Sequence, residues 1–219
     1  MHLLLAASIL DPKHLLETFG LGGLVAIIFA ETGLLIGFFL PGDSLLVLAG
    51  LVCAVGLKTS KNTVFHLHLA VVLPSVAIAA IAGAQLGYFI GRKAGPPLFN
   101  KPDSKLFKQE HVHKAHAYFE KYGAKTIIIA RFVPIVRTFA NPVAGVAEVE
   151  PKVFTPLNVI GGLAWTISVT MLGYVLGKTI PKAQDHLALI ELVIILLSLT
   201  PLVYELVKAR SAKRSAAAS

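Results

Sequence analysis

The chain of 219 residues has a single cysteine, Cys53, one tryptophan and two methionines, and only 15% of its residues are charged. One cysteine excludes an internal disulfide and leaves neither a CxxC pair nor a Cys/His zinc cluster. Cys53 reads as a small apolar residue in a packed helix. The scarcity of charge, set against about 25% in ordinary soluble domains, comes with 55% hydrophobic residues and a mean hydropathy of +0.74. No water-soluble core absorbs that much apolar surface, so the chain is expected to live in a membrane. There is no P-loop, no dinucleotide fingerprint and no Gly-x-Ser-x-Gly elbow, so no enzyme chemistry is expected. His111, His113 and His116 are spaced so that at most two share a helix face, and no acidic partner is fixed beside them. No metal or other cofactor is therefore expected. Lys and Arg outnumber Asp and Glu by 20 to 12, but the excess gathers in two places instead of along a recognition helix. Nucleic-acid binding is thereby disfavoured.

Apolar stretches cover 21–39 running into 44–57, then 67–90, 124–149, 159–176 and 187–207. A spanning helix needs about 20 apolar residues, which 67–90, 159–176 and 187–207 supply without interruption. The other two are broken. Pro41 and Gly42 split the first, and Pro134, Asn141 and Pro142 split the second, which closes on Gly145.

Basic residues near short loops favour the cytoplasm. Eight lie from Arg92 to Lys125, and the tail adds Lys208, Arg210, Lys213 and Arg214. Both regions come out cytoplasmic only if 124–149 enters the membrane and returns. The segment Leu86-Gly87-Tyr88-Phe89-Ile90-Gly91-Arg92 is repeated conservatively as Leu172-Gly173-Tyr174-Val175-Leu176-Gly177-Lys178, each copy ending a spanning helix that follows a broken, charged hairpin. The expected fold is all-α: a polytopic membrane protein with an inverted repeat of re-entrant hairpin plus transmembrane helix, and an extra C-terminal transmembrane helix. Its parts are an interfacial lead-in over 1–19, repeat 1 over about 20–92, an amphipathic connector over about 93–123, repeat 2 over about 124–178, a last helix over about 187–207, and a basic cytoplasmic tail over 208–219.

Glu31 and Asp43 lie in the first broken segment, Arg131 and Arg137 in the second. At the bilayer centre four charges would cost roughly 10 kcal/mol or more unless paired or wetted. Arginine stays protonated and presents a planar fork suited to a phosphate. A carboxylate held away from water can take up or release a proton near neutral pH. Together they describe an anion site beside a proton site. Arg131 and Arg137 are six residues apart and converge only if the helix breaks between them, where Pro134 sits.

The residues Glu31-Thr-Gly, Phe39-Leu-Pro-Gly-Asp43-Ser-Leu45, Gly87-Tyr88 with Gly91-Arg92, Ala130-Arg131-Phe-Val-Pro134-Ile-Val-Arg137-Thr138-Phe139 ending in Ala144-Gly145, and Asn158 with Gly161 and Trp165 closely resemble the bacterial DedA family of the SNARE-associated, or VTT-domain, superfamily. The resemblance runs from about residue 20 to 210. It implies two facing re-entrant hairpins, with the family's functional acids at Glu31 and Asp43 and its functional arginines at Arg131 and Arg137. It further implies a role in envelope integrity and proton-motive-force balance; members have been assigned as transporters of undecaprenyl phosphate, and eukaryotic relatives as lipid scramblases. One departure stands out. Where many members carry an acidic or amide residue after the glycine matching Gly83, this chain has Ala84 followed by Gln85.

The expectation is a bacterial inner-membrane flippase of a lipid phosphate, coupled to the proton motive force, with its C-terminus cytoplasmic. Arg131 and Arg137 would bind phosphate, and Glu31 and Asp43 would exchange protons. Pro41, Gly42, Pro134, Asn141, Pro142 and Gly145 would shape the hairpins. Its partners would be membrane lipids, a polyprenyl phosphate and protons, with a homo-oligomer left open. The alternatives are a proton-coupled antiporter of small cations or cationic drugs, and a non-transporting assembly factor.

Overall fold

The computed structural model describes residues 12–34, 41–58, 64–99, 123 and 125–180. The last expected helix, the tail and most of the connector lie outside these residues, as do residues 1–11 of the lead-in and the three histidines of the connector. The described chain is helical apart from one small ribbon. Its elements are α1 (Pro12–Gly33), α2 (Gly42–Val55), β1 (Leu57–Lys58), β2 (Val64–Phe65), α3 (Leu69–Phe99), α4 (Thr126–Ala130), α5 (Pro134–Val146) and α6 (Pro151–Thr179). The ribbon is antiparallel and pairs Leu57 with Phe65 and Lys58 with Val64.

Three helices, α1, α3 and α6, are long and apolar enough to cross a membrane. Hydropathy alone placed α1 within a broken segment. It reaches 22 residues because 12–19 are helical too and join it across a kink at Gly20 (φ 57°, ψ −145°), a backbone conformation open to a residue without a Cβ. Leu15 and Leu16 from that lead are buried in the core beside Leu24 and Ile28. α3 likewise runs on past Arg92 to Phe99, into the stretch read as connector.

The second broken segment breaks at one place. α4 closes with tight turns in which Arg131, Phe132 and Val133 donate backbone N–H groups to the carbonyls of Ile128, Ile129 and Ala130. Val133 is extended, and Pro134 opens α5, where its missing N–H leaves nothing unsatisfied. Asn141 and Pro142 do not break the segment. Both lie inside α5, since a proline within a membrane helix is tolerated where neighbouring helices cover the freed backbone.

The packing is crossed. α2 lies against α6 and α5 against α3, while α1 lies on α3 and α4 on α6. Glycines set both crossed seams. A Cβ at Gly50 would overlap the Thr170 carbonyl and come within 2.8 Å of the Tyr174 nitrogen, and Gly173 sits on the carbonyl of Val47, three residues before Gly50. A Cβ at Gly145 would overlap the Tyr88 carbonyl and come within 2.7 Å of the Arg92 nitrogen, and Gly91 sits on the carbonyl of Pro142, three residues before Gly145. Such backbone-to-backbone approach is how helices gain dispersion contact where lipid gives no hydrophobic drive.

Candidate functional site

The breaks between the limbs bring four charges together. Arg137, in the first turn of α5, donates from Nη1 to Oδ1 of Asp43 at 2.7 Å and from Nη2 to Oε1 of Glu31. Its side chain is 3% exposed, Glu31's 4% and Asp43's 21%, so Asp43 is the member nearest the surface. Glu31 stands near the end of α1 and Asp43 in the first turn of α2. Gly42 is required here, because a Cβ would overlap Oε2 of Glu31. Trp165 from α6 completes the enclosure. Its Nε1 donates to Oδ1 of Asp43 at 2.9 Å, and its ring lies under the Arg137 guanidinium with the centroid 4.2 Å from Cζ. Asn141, one turn further along α5, donates to the Thr32 carbonyl at 3.1 Å and ties α5 to α1.

Arg131 lies apart from this cluster. It is 1% exposed, and its Nη2 donates to Oδ1 of Asn158 on α6. Asn158 in turn donates from Nδ2 to the Ile81 carbonyl at 3.0 Å and to Oε1 of Gln85 at 3.1 Å. Nε and Nη1 of Arg131 have no hydrogen-bond partner among the described residues. They lie by Gly161 and Gly162, where added Cβ atoms would stand 3.3 Å from Nε and 3.4 Å from Nη1. A side chain at Gly161 would press on the stem of Arg131, 3.0 Å from Cδ, and one at Gly162 on Ile81, 2.7 Å from Cγ1.

The structure therefore brings Glu31, Asp43 and Arg137 into one ion-paired group and places Arg131 in a second niche lined by amides. Arg137 does not join Arg131 in offering a free fork; two carboxylates take it first. Hydrogen bonds to a charged group are worth about 1.5–3 kcal/mol each, and in a buried place both acids need that one cation. The helix breaks before Pro134 as its position suggested, yet the break does not make the two arginines converge on one ligand site, since each has different partners. Gly145 belongs to the seam with α3, and Pro41 stands at the N-cap of α2. Gln85, Asn158 and Trp165 were not among the residues singled out for a role in the site. A polar amide inside an otherwise apolar span was the available signal for Asn158.

The VTT domain matches residues 40–175 of the chain, which takes in Asp43, both arginines and Trp165. The chain is 46% identical over 194 residues to the protein DedA of Escherichia coli K12, covering 89% of this chain and 85% of that one. The chain belongs to the DedA family of membrane proteins. A second relative, an uncharacterized membrane protein of Mycobacterium tuberculosis, is 42% identical over 215 residues, covering 95% of this chain and 91% of the other. The inner membrane protein YqjA of E. coli K12 is 35% identical over 166 residues, covering 75% and 71%. No solved structure matches the chain. The DedA-family chain also shows an apolar face suited to lipid, with Ile129, Phe132, Val136 and Phe139 of α4, the following turn and α5 exposed. Among the described residues no group of histidine, cysteine and acidic side chains is placed to hold a metal.

Proposed function

We propose that this DedA-family protein is a transporter of the bacterial inner membrane that moves the headgroup of a lipid phosphate, undecaprenyl phosphate, across the bilayer in a proton-linked cycle supporting envelope integrity. The observation that carries this reading is the buried guanidinium of Arg131, which among the described residues has no carboxylate and leaves Nε and Nη1 unpartnered. An uncompensated charge at such depth is strongly unfavourable, and an oxyanion is the ligand that relieves it. Asn158 uses one of the five N–H groups of the guanidinium. The two bidentate edges use different hydrogens of Nη2, so one edge stays whole for a phosphate. α5 also begins three residues after Arg131 without a side-chain cap, and its positive end favours an anion.

Proton linkage rests on the other niche. Two carboxylates share one arginine there, leaving an excess negative charge that a proton cancels. The same geometry weighs against a cation antiporter, because the Arg137 guanidinium already occupies the space between the acids. The crossed seams, each with its glycine three residues past the covered carbonyl, support two hairpins related by an inverted repeat. The described conformation is a closed one; a headgroup enters when the second hairpin parts from α6, and its tail remains in lipid beside the exposed apolar face.

The test is translocation of a labelled polyprenyl phosphate in proteoliposomes. Arg131→Ala is expected to lower the rate by roughly 100-fold, and Arg131→Lys to lower it as well because an ammonium lacks the planar fork. Equal rates for wild type and Arg131→Ala would remove phosphate binding at this residue.

A further inference from the structure

Asn158 and Gln85 form a relay of amides behind Arg131, and its order is set by chemistry. The Ile81 carbonyl can only accept, so the Asn158 group 3.0 Å from it must be the donating Nδ2. That places Oδ1 on Arg131 without ambiguity and lets Gln85 accept from the same Nδ2 at 3.1 Å. Asn158 is fully buried and comes from α6, whereas Ile81 and Gln85 lie one turn apart on α3. The guanidinium is thereby held by a group without charge. An aspartate at this position would neutralise Arg131 as Glu31 and Asp43 neutralise Arg137.

We infer that Asn158, backed by Gln85, is the positioning residue of the phosphate subsite: it orients Arg131 through one hydrogen bond while leaving its positive charge available to a phosphate monoester. The inference rests on the proposed function and deepens it. The residue determines specificity by what it lacks. An amide accepts from Nη2 as a carboxylate would, but it does not compete with the ligand for the charge.

The substitution Asn158→Asp separates orientation from charge. With a proton on the oxygen facing Ile81, the aspartic acid reproduces the bonds to Arg131 and Ile81, and Gln85 keeps the third by turning its own amide to donate to that oxygen. Without the proton, the carboxylate pairs with Arg131 and turns a second oxygen towards the Ile81 carbonyl. Glu31, Asp43 and Arg137 form the neighbouring ion-paired group, and Arg131 itself faces the new acid. The first three are common to wild type and variant and cancel in their ratio.

The experiment measures binding of a short-chain polyprenyl phosphate to the detergent-purified full chain, for wild type, Asn158→Asp, Gln85→Leu and Arg131→Gln, at about pH 5 and about pH 8. Melting temperature without ligand is recorded alongside. Asn158→Asp should bind nearly as wild type in acid and lose roughly tenfold or more in alkali. Gln85→Leu removes only the outer hydrogen bond and should lose a few-fold at both pH values with an unchanged melting temperature. It keeps the inference testable if the aspartate variant does not fold. Inorganic phosphate serves as competitor: competition assigns the subsite to phosphate in general, and its absence assigns it to a lipid headgroup, either outcome agreeing with the inference when the aspartate variant shows its pH-dependent loss. If the ratio of wild type to Asn158→Asp is the same at both pH values, or Gln85→Leu binds as wild type when the aspartate variant does not fold, the positioning role is overturned. If Arg131→Gln binds as tightly as wild type, the proposed function itself fails, so the two failures are distinguishable.

Discussion

Arg137 and Arg131 are six residues apart, both buried, and surrounded in opposite ways. Arg137 has Glu31, Asp43 and the Trp165 ring; Arg131 has the side-chain oxygen of Asn158 and two unpartnered nitrogens. The first arrangement is over-supplied with negative charge and the second has none. What the difference teaches is that charges of equal number do not cancel pair by pair. Two acids and two arginines sum to zero, yet one guanidinium is left to be neutralised by something that is not part of the described protein.

The contrast makes its largest prediction at Arg137. Arg137→Leu strands the buried carboxylate of Glu31 and the half-buried one of Asp43 and should destabilise the detergent-solubilised protein by about 3–5 kcal/mol, read as a fall in its chemical denaturation midpoint. A shift below about 1 kcal/mol would mean the acids are solvated and the ion-paired niche is not closed. The two glycine seams come next. Gly50→Ala and Gly145→Ala each force a methyl against a backbone carbonyl, so each should cost about 1–3 kcal/mol. Comparable losses in the two thermal melts sharpen the likeness between the seams, whereas a large loss at one and none at the other breaks it.

Trp165→Phe is smaller, at about 1–2 kcal/mol, because it removes the hydrogen bond to Asp43 but keeps an aromatic face under Arg137. Its companion readout is indole fluorescence: wild-type emission should shift in Asp43→Asn, since Trp165 is the chain's one tryptophan. The smallest effect on stability is expected at Arg131. Arg131→Met replaces an uncompensated charge with an apolar side chain of similar length, so the ligand-free protein should be as stable as wild type or slightly more so. A loss of several kcal/mol in the same denaturation assay would show that Arg131 is satisfied within the protein and would end its contrast with Arg137.

Much of the site was legible because charge inside an apolar stretch is conspicuous. Glu31, Asp43, Arg131 and Arg137 stand out against hydropathy, and Pro41 and Pro134 mark the starts of α2 and α5. Asn141 and Pro142 misled. A proline read locally predicts a break, and only its position against α3, where Gly91 lies on the Pro142 carbonyl, shows the helix continuing. The repeated sequence motif is out of step with the two glycine seams. Matching the motif copies aligns Gly91 with Gly177, whereas the equivalent seam contacts involve Gly91 and Gly173. A helix returns to nearly the same face every four residues, so glycines spaced by four offer two registers, and side-chain packing selects between them. Gln85 and Trp165 gave no local sign of their partners, which lie 73 and 122 residues away in the chain.

The sequence by itself determined that this is a membrane protein of the DedA family, that its apolar segments are interrupted, and which ionisable groups lie within them. Membrane residence and the interruptions are carried by composition and local spacing, and the family by the motifs the chain shares with its relatives. The tertiary structure alone decided which acid meets which arginine. Hydrogen bonds reach only about 3 Å and have direction, so the pairing depends on how α1, α2, α5 and α6 converge. Their convergence gives both carboxylates to Arg137 and a neutral amide to Arg131.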